Sequence, residues 1–202
     1  MENIDFYKLD LDYLKYLQET EKQKRGFTRV PNMEYGKTQK PKFMCGIILQ
    51  IHGTDYYVPV SSYKIQKPDN FIICADAGHA ISSLRFNYMI PVPKEMVTVR
   101  KIENEPDRAY RSLLSQELRY CIKHQATIRR LAERTYHRVI LGKNPGLVKN
   151  SCDFAFLEQK CCEYKCLDSK KSLQNKLLSA QEKADTHNQN VHKEYRSESK
   201  SR

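Results

Sequence analysis

The sequence predicts an α+β protein in which a compact antiparallel sheet is followed by helices. The nearly continuous apolar run FMCGIILQI at residues 43–51 is typical of a buried strand, and a turn sequence and a second strand-like run follow it. From residue 110 onward, apolar residues recur instead at helical spacing. The 202 residues correspond to one domain, or to one domain with a tail. Roughly five to seven short strands could also close into a small barrel.

The N-terminal part is predicted to be a helix followed by a basic loop. Asp5 is a suitable cap for a helix over residues 5–20. The apolar side chains that recur there at helical spacing are Leu9, Tyr13, Tyr16 and Leu17. Residues 22–42 carry seven basic side chains against one acid, and proline and glycine interrupt them, so a loop is favoured.

Residues 43–60 are predicted to form a β-hairpin. The strand 43–51 is followed by the turn sequence His52-Gly53-Thr54-Asp55 and by a second strand over residues 56–60. A two-residue loop is expected around Gly53-Thr54. Further strands are predicted at residues 70–75, 81–91 and 96–102.

The rest of the chain is predicted to be helical and then polar. The spacing predicts helices over residues 110–122 and 126–141, and a third that Ser151 caps and that ends near residue 167. From residue 168 the chain is rich in Lys, Ser, Gln, Asn and Glu. We therefore expect one domain over residues 1–167 and a polar extension over residues 168–202 that is partly helical or disordered.

The composition favours a polyanionic partner and excludes several classes of protein. Thirty-five Lys and Arg against 24 Asp and Glu give a net charge of +11, which points to nucleic acid or an anionic surface. No apolar run is long enough to span a membrane and no secretory signal is recognisable, so a cytoplasmic location with reduced thiols is expected. The cysteines lack paired CxxC spacing, and glycine-rich phosphate loops are absent, so neither a metal nor another cofactor is expected.

Lysine and hydroxyl side chains flank the predicted hairpin. Tyr35, Lys37, Lys40 and Lys42 precede its first strand, and Ser61, Ser62, Tyr63 and Lys64 follow its second. The start of one antiparallel strand lies beside the end of the next, so the two groups should meet. Ammonium groups stabilise a phosphate that gains charge, and hydroxyls can orient its oxygens or relay protons. The alternative is a solvated basic loop beside an ordinary strand end.

A second basic feature covers residues 108–143, with nine basic residues against Glu117 and Glu133. Such an imbalance favours a surface that binds phosphates, although an ordinary solvated helix face remains the alternative. The candidate nucleic-acid contacts across the chain are Lys37, Lys40, Arg85, Arg111, Arg119, Lys123, Arg129, Arg130 and Arg134.

Four segments resemble the endoribonuclease toxins of type III toxin–antitoxin systems, the ToxN/AbiQ/CptN group. They are FYKLDLDYLKYL, KPKFMCGIILQIHGTDYYVPVSSYK, LRFNYMIPVP and LGKNPGLVKNSCDFAFLEQKC, and they cover most of residues 4–167. The resemblance implies a highly twisted antiparallel sheet with helices, related to the Kid/MazF toxin barrel. It also implies metal-independent cleavage of single-stranded RNA in the bacterial cytoplasm, including cellular or phage mRNA, as a defence against phage. The implied partner is a small pseudoknotted antitoxin RNA, which the toxin processes and which inhibits it in a closed toxin–RNA assembly.

The resemblance also implies roles for particular residues. Lys42 matches the active-site lysine of the family and Ser62 its essential hydroxyl residue. Ser61 takes the neighbouring position, Tyr35 corresponds to a loop tyrosine, and Lys64 matches the lysine that follows the serine pair.

The expected reaction is attack of a ribose 2′-OH on its own 3′ phosphate, which leaves a 2′,3′-cyclic phosphate and a 5′-OH. Lys42 would stabilise the charge on phosphorus, and Ser62 would bind a phosphate oxygen or the 2′-OH. Tyr35, Lys64 or His79 would exchange protons. A non-catalytic RNA-binding module with the same charge is the competing hypothesis.

Overall fold

The computed structural model describes residues 4–33, 42–167 and 181, so the polar extension predicted from residue 168 lies almost wholly outside the described residues. The strands are β1 (Asp5–Leu9), β2 (Met44–Ile51), β3 (Thr54–Ser61), β4 (Asn70–Cys74), β5 (Ala80–Arg85), β6 (Ile90–Pro91) and β7 (Val97–Val99). The helices are α1 (Leu11–Arg25), α2 (Arg108–Lys123), α3 (Gln125–Ile140), α4 (Pro145–Lys149) and α5 (residues 154–167).

The strands form one antiparallel sheet, which confirms the predicted α+β class. The strand order is β4-β5-β3-β2-β1-β7, and β6 pairs with β3. Among the described residues the sheet therefore runs from β4 at one edge to β7 at the other, and it does not close into a barrel. The central strands β2 and β3 are the predicted hairpin, and they carry the site described below.

The first prediction that the structure corrects is the N-terminal helix. Residues 5–9 are strand β1, in which Phe6 pairs with Cys45 and is completely buried. The helix starts only after Asp10, whose side chain accepts a hydrogen bond from Tyr13 N at 2.8 Å. Five residues are too few to separate a strand period from a helical one, so the helical spacing of α1 continues in the sequence over β1. The helix also continues through residues 22–25, which were predicted to be loop.

The hairpin turn lies one residue earlier than expected. His52 and Gly53 both have positive φ, 48° and 76°, which suits a two-residue turn whose twist matches the strands. Further along β2, a glycine is needed where the strand crosses an aromatic ring. A Cβ added to Gly46 would lie 2.1 Å from the Tyr57 ring, so only glycine fits there.

Four further elements also differ from the predictions. The segment 81–91 is not one strand, because a 3₁₀ turn over Phe86–Tyr88 separates β5 from β6, and strand 96–102 shortens to β7. Asp153, and not Ser151, caps α5, since Phe156 N donates to Asp153 Oδ1 at 3.3 Å. Ser151 Oγ instead donates to Leu147 O at 2.7 Å and closes the unpredicted helix α4.

An aromatic cluster joins the sheet to the helices. Tyr136 stacks on Phe154 with ring centroids 5.7 Å apart, and Tyr56 packs edge-on against both rings. The hydroxyls of Tyr56 and Tyr136 both donate to Glu158 Oε1, at 2.7 and 2.9 Å. Burial, and then the neighbouring Glu158 carboxylate, raise the pKa of both phenols, so they stay neutral donors.

All seven cysteines are free thiols, and they fall into three groups by exposure. Cys45, Cys121, Cys152 and Cys161 are buried, Cys74 is half-buried, and Cys162 and Cys166 on α5 are exposed. Burial raises the pKa of the Cys45 and Cys152 thiols, so these two pack as small apolar side chains.

Candidate active site

A pocket of about 310 Å³ opens at the end of the hairpin. It is lined by residues 28–32, Lys42, residues 59–62, Arg85 and Tyr88. Four residues that the sequence singled out therefore share one pocket: Lys42, Ser61, Ser62 and Arg85.

The strand register explains why Lys42 and Ser61 meet. Met44 pairs with Pro59, and Val60 N donates to Phe43 O at 3.3 Å, so Lys42 falls beside Ser61. The backbone here is fixed by the buried Phe43 ring. It packs on the Phe6 ring at 4.6 Å and under the Arg100 guanidinium at 4.9 Å.

The turn after β3 presents Ser62 to solvent. Tyr63 N donates to Ser61 Oγ at 3.2 Å, and Ser83 Oγ donates to Tyr63 O at 2.5 Å, so the main chain on the far side of Ser62 is held at two points. Ser62 itself is exposed, and its hydroxyl makes no hydrogen bond within the part of the chain that the structure describes. Lys42 Nζ donates to Asn32 O across the pocket. A hydroxyl and an ammonium group are thus placed on a fixed backbone.

A buried carboxylate holds the opposite wall of the pocket. Glu21 is completely buried on α1, and Arg25 on the next turn neutralises its charge. Its two oxygens accept five hydrogen bonds of 2.6–3.2 Å, from Thr28 Oγ1, Arg29 N, Val30 N, Arg25 Nη1 and Asp153 N. Glu21 therefore fixes the loop of residues 28–30 that faces Lys42 and Ser62.

The charged residues that line the pocket, among those that the structure describes, are all basic. Three cations line it, Arg29, Lys42 and Arg85, and no carboxylate is among the described lining residues. Several cations around a small pocket favour an anion, and ammonium, guanidinium and hydroxyl donors suit a phosphate group.

Several predicted site residues lie elsewhere. Lys64 is exposed and does not line the pocket. His79 lies in the turn between β4 and β5, at the far end of β5 from Arg85, about 20 Å away along the strand. Tyr35, Lys37 and Lys40 lie outside the described residues.

The basic residues of α2 and α3 lie outside the pocket and differ in their surroundings. Lys123 and Arg130 are exposed, and the exposed Arg119 pairs with Asp76 at 3.0 Å. The other arginines donate hydrogen bonds to backbone carbonyls. Arg111 donates to Glu103 O, Arg134 to Pro68 O, and the half-buried Arg129 to Ile47 O. Lys123, Arg130 and Arg134 are therefore exposed and form no ion pair within the described residues, and of these three only Arg134 makes a hydrogen bond there.

Sequence reasoning missed Glu21, the wall of residues 28–32 and Tyr88. One signal was available for Glu21, which falls on the buried stripe of α1 with Leu14 and Leu17. An acidic residue on the apolar face of a helix indicates that its carboxylate is buried together with hydrogen-bond donors or a basic side chain. The ranges 4–33 and 42–167 hold no cluster of three or more His, Cys, Asp or Glu side chains that could bind a metal ion, and no helix in them is long and apolar enough to cross a membrane.

Comparison with known proteins gives a consistent result. The sequence model of the family described as Toxin ToxN, type III toxin–antitoxin system, matches residues 5–170. Endoribonuclease ToxN of Pectobacterium atrosepticum is 26% identical over 164 residues, which are 77% of this chain and 90% of that protein. A solved structure concerning selective toxin inhibition by a non-coding RNA pseudoknot superposes with a TM-score of 0.71 at 25% identity, covering 81% of this chain and 99% of that one. A second, concerning a processed non-coding RNA that regulates a bacterial antiviral system, superposes with a TM-score of 0.68 at 25% identity, covering 79% of this chain and 98% of that one.

Proposed function

Because the chain belongs to the ToxN family of type III toxin–antitoxin toxins and is an endoribonuclease, we propose that it cleaves single-stranded RNA in the pocket between Lys42 and Ser62 without a metal ion. The observation that carries this assignment is the pocket itself. It combines three cations and two serine side chains, and no carboxylate is among its described lining residues. The activity is assigned to residues 1–167.

The proposed reaction is an internal transesterification. The ribose 2′-oxygen attacks the adjacent phosphorus while its proton passes to a base, and the bond to the 5′-oxygen breaks as that oxygen takes up a proton. The products are a 2′,3′-cyclic phosphate and a 5′-OH, so no water is consumed. Lys42 stabilises the charge that develops on the phosphate oxygens, and the Ser62 hydroxyl donates to one of them. DNA is excluded because it lacks the 2′-OH.

Tyr35 and Lys64 keep the proposed roles of base and acid. In the sequence Tyr35 precedes the first strand of the hairpin and Lys64 follows the second. Ser61 acts on the backbone, because its oxygen accepts from Tyr63 N and so orients the turn that carries Ser62. His79 is not proposed, because it lies at the opposite end of β5.

The proposed partners are all RNA. A small pseudoknotted antitoxin RNA, cut from a repeated transcript by the toxin, would bind the pocket and the basic residues of α2 and α3 and block cleavage of cellular or phage mRNA. Toxins and antitoxin RNAs would form a closed assembly in the bacterial cytoplasm, as a defence against phage. The net charge of +11 supports this partner class.

The proposal is tested by incubating the purified chain with mixed-sequence single-stranded RNA in excess EDTA. Bound RNA is first removed by denaturation and refolding, so that an antitoxin carried through purification cannot mask activity. We expect cleavage with 2′,3′-cyclic phosphate and 5′-OH ends. RNA that binds the refolded chain but stays intact would contradict the proposal and favour a non-catalytic RNA-binding module. Cleavage that requires an added divalent metal would contradict the metal-independent reaction.

Reversing the charge of Lys123 and Arg130 together, with Lys123→Glu and Arg130→Glu, is expected to weaken RNA binding. Each lost phosphate contact should reduce the slope of log K against log salt by roughly one unit. The measurement is a salt titration of RNA affinity for the double variant. The control is Lys94→Glu, an exposed charge reversal outside the pocket and outside α2 and α3. A double variant with the wild-type slope would place the RNA on another surface.

A further inference from the structure

The Arg85 guanidinium is held between two aromatic rings at the wall of the pocket. Its Cζ lies 4.3 Å from the centroid of the Tyr88 ring and 5.2 Å from that of Tyr63, and Nη2 donates to the Tyr88 hydroxyl at 3.2 Å. Rings at these distances attract a cation and restrict its orientation without neutralising its charge. Arg85 is therefore a half-buried cation whose position is fixed in advance.

The other arginines near the pocket are engaged differently. Arg25 pairs with Glu21 at 2.9 Å and Arg100 with Glu105 at 3.0 Å. Arg29 lines the pocket, but its Nε donates to Lys149 O at 3.2 Å and its Nη2 to Asn150 Oδ1 at 3.1 Å. Within residues 4–33 and 42–167, Arg85 has no carboxylate partner, and its one hydrogen bond goes to the neutral Tyr88 hydroxyl. A guanidinium has five N–H groups, so Arg85 retains donors for a ligand.

The strand pairing puts Arg85 on the same face of the sheet as Ser61. Ser61 pairs with Ser83, and Val60 pairs with Leu84, whose side chain is completely buried on the opposite face. Side chains alternate along a strand, so Ser83 and Arg85 share the face of Ser61. The ammonium of Lys42 and the guanidinium of Arg85 consequently line one pocket, and no carboxylate is among its described lining residues, so both cations attract an anion that enters it.

We propose that Arg85 is a catalytic residue of the RNA cleavage assigned above. Its planar fork donates two parallel hydrogen bonds to the non-bridging oxygens of the scissile phosphate, and it stabilises the charge that these oxygens gain when the 2′-oxygen attacks. Arg85 exchanges no proton and forms no covalent bond. Tyr63 and Tyr88 are positioning residues that hold the guanidinium in this orientation. This inference rests on the proposed function and adds the group that holds the phosphate.

The test separates binding from the chemical step by single-turnover cleavage at saturating RNA. Arg85→Gln is expected to lower the cleavage rate by about 10²–10³-fold, with RNA affinity changed less than tenfold. Arg85→Lys keeps the charge and the packing but loses the fork, so we expect it to lower the rate by at least tenfold. Free guanidinium at millimolar concentration is expected to restore part of the cleavage activity of Arg85→Ala, and the restored rate should saturate as the guanidinium concentration rises. The control variant Lys94→Gln should cleave at the wild-type rate with or without guanidinium.

Three outcomes would overturn the role of Arg85 while the proposed function stands. One is a wild-type rate in Arg85→Gln, another is a change confined to RNA affinity, and the third is full activity in Arg85→Lys. If Arg85→Gln fails to fold, the cleavage rate of Arg85→Lys tests the role of Arg85. Failure of the proposed function itself looks different, because the wild-type chain would then leave RNA intact.

Discussion

Replacing Ser62 by alanine is expected to lower the rate of RNA cleavage by at least about 10²-fold, the effect of removing one donor that stabilises transition-state charge. The side chain is exposed, and it makes no hydrogen bond within the described part of the chain. The free energy of unfolding should therefore change by less than about 0.5 kcal/mol. Single-turnover cleavage and thermal unfolding of the same preparation measure the two quantities.

The control for this substitution is Ser112→Ala, which removes an exposed serine hydroxyl from α2, away from the hairpin. It should leave both cleavage and unfolding unchanged. If Ser62→Ala cleaves at the wild-type rate, the hydroxyl has no part in the reaction, and Lys42 and Arg85 would have to stabilise the phosphate without it.

Glu21→Gln is expected to destabilise the protein by about 3–5 kcal/mol, the usual effect of removing one partner from a buried ion pair. The amide keeps the size of the side chain, but it removes the charge opposite Arg25. Its NH₂ group also faces donors where the carboxylate accepted five hydrogen bonds. The melting temperature should fall by something on the order of 10 °C for a chain of this size.

The matched control is Glu19→Gln, because Glu19 is an exposed acid on the same helix only two residues away. Its free energy of unfolding should stay within about 0.5 kcal/mol of wild type. Equal stability of the Glu21 and Glu19 variants would show that the buried network does not hold the wall of residues 28–30.

The sequence predicts those features of the site that depend on residues close to one another in the chain. The hairpin is readable from residues 43–61, and its two-residue turn sets the pairing of Ile51 with Thr54. The register then shifts by two residues between Cys45 and Leu49, so the pairing that places Lys42 beside Ser61 depends on an irregularity in β2 that the sequence pattern does not indicate. Arg85 could be identified as a basic residue near a strand end, but its place beside β3 depends on a pairing between distant segments. No local pattern gives that register.

The errors have a similar physical origin. Residues 5–9 form a strand because β2 and β7 pair with them on either side, and tertiary pairing of this kind overrides a helical pattern that continues into α1. The wall of residues 28–32 has no regular structure and is held by Glu21 from a helix. A loop fixed by a single buried carboxylate carries no periodic signal, so composition alone makes it an ordinary basic loop.

The distribution of thiols has a practical consequence for chemical labelling. Alkylating reagents attack the thiolate of an accessible cysteine, so the buried Cys45 and Cys152, whose pKa values burial raises, should resist modification in the folded chain. Cys162 and Cys166 are exposed on α5, one helical turn apart, and should react first. A maleimide dye added in limited amount should therefore attach to the native sequence at α5 before it reaches the half-buried Cys74 of β4.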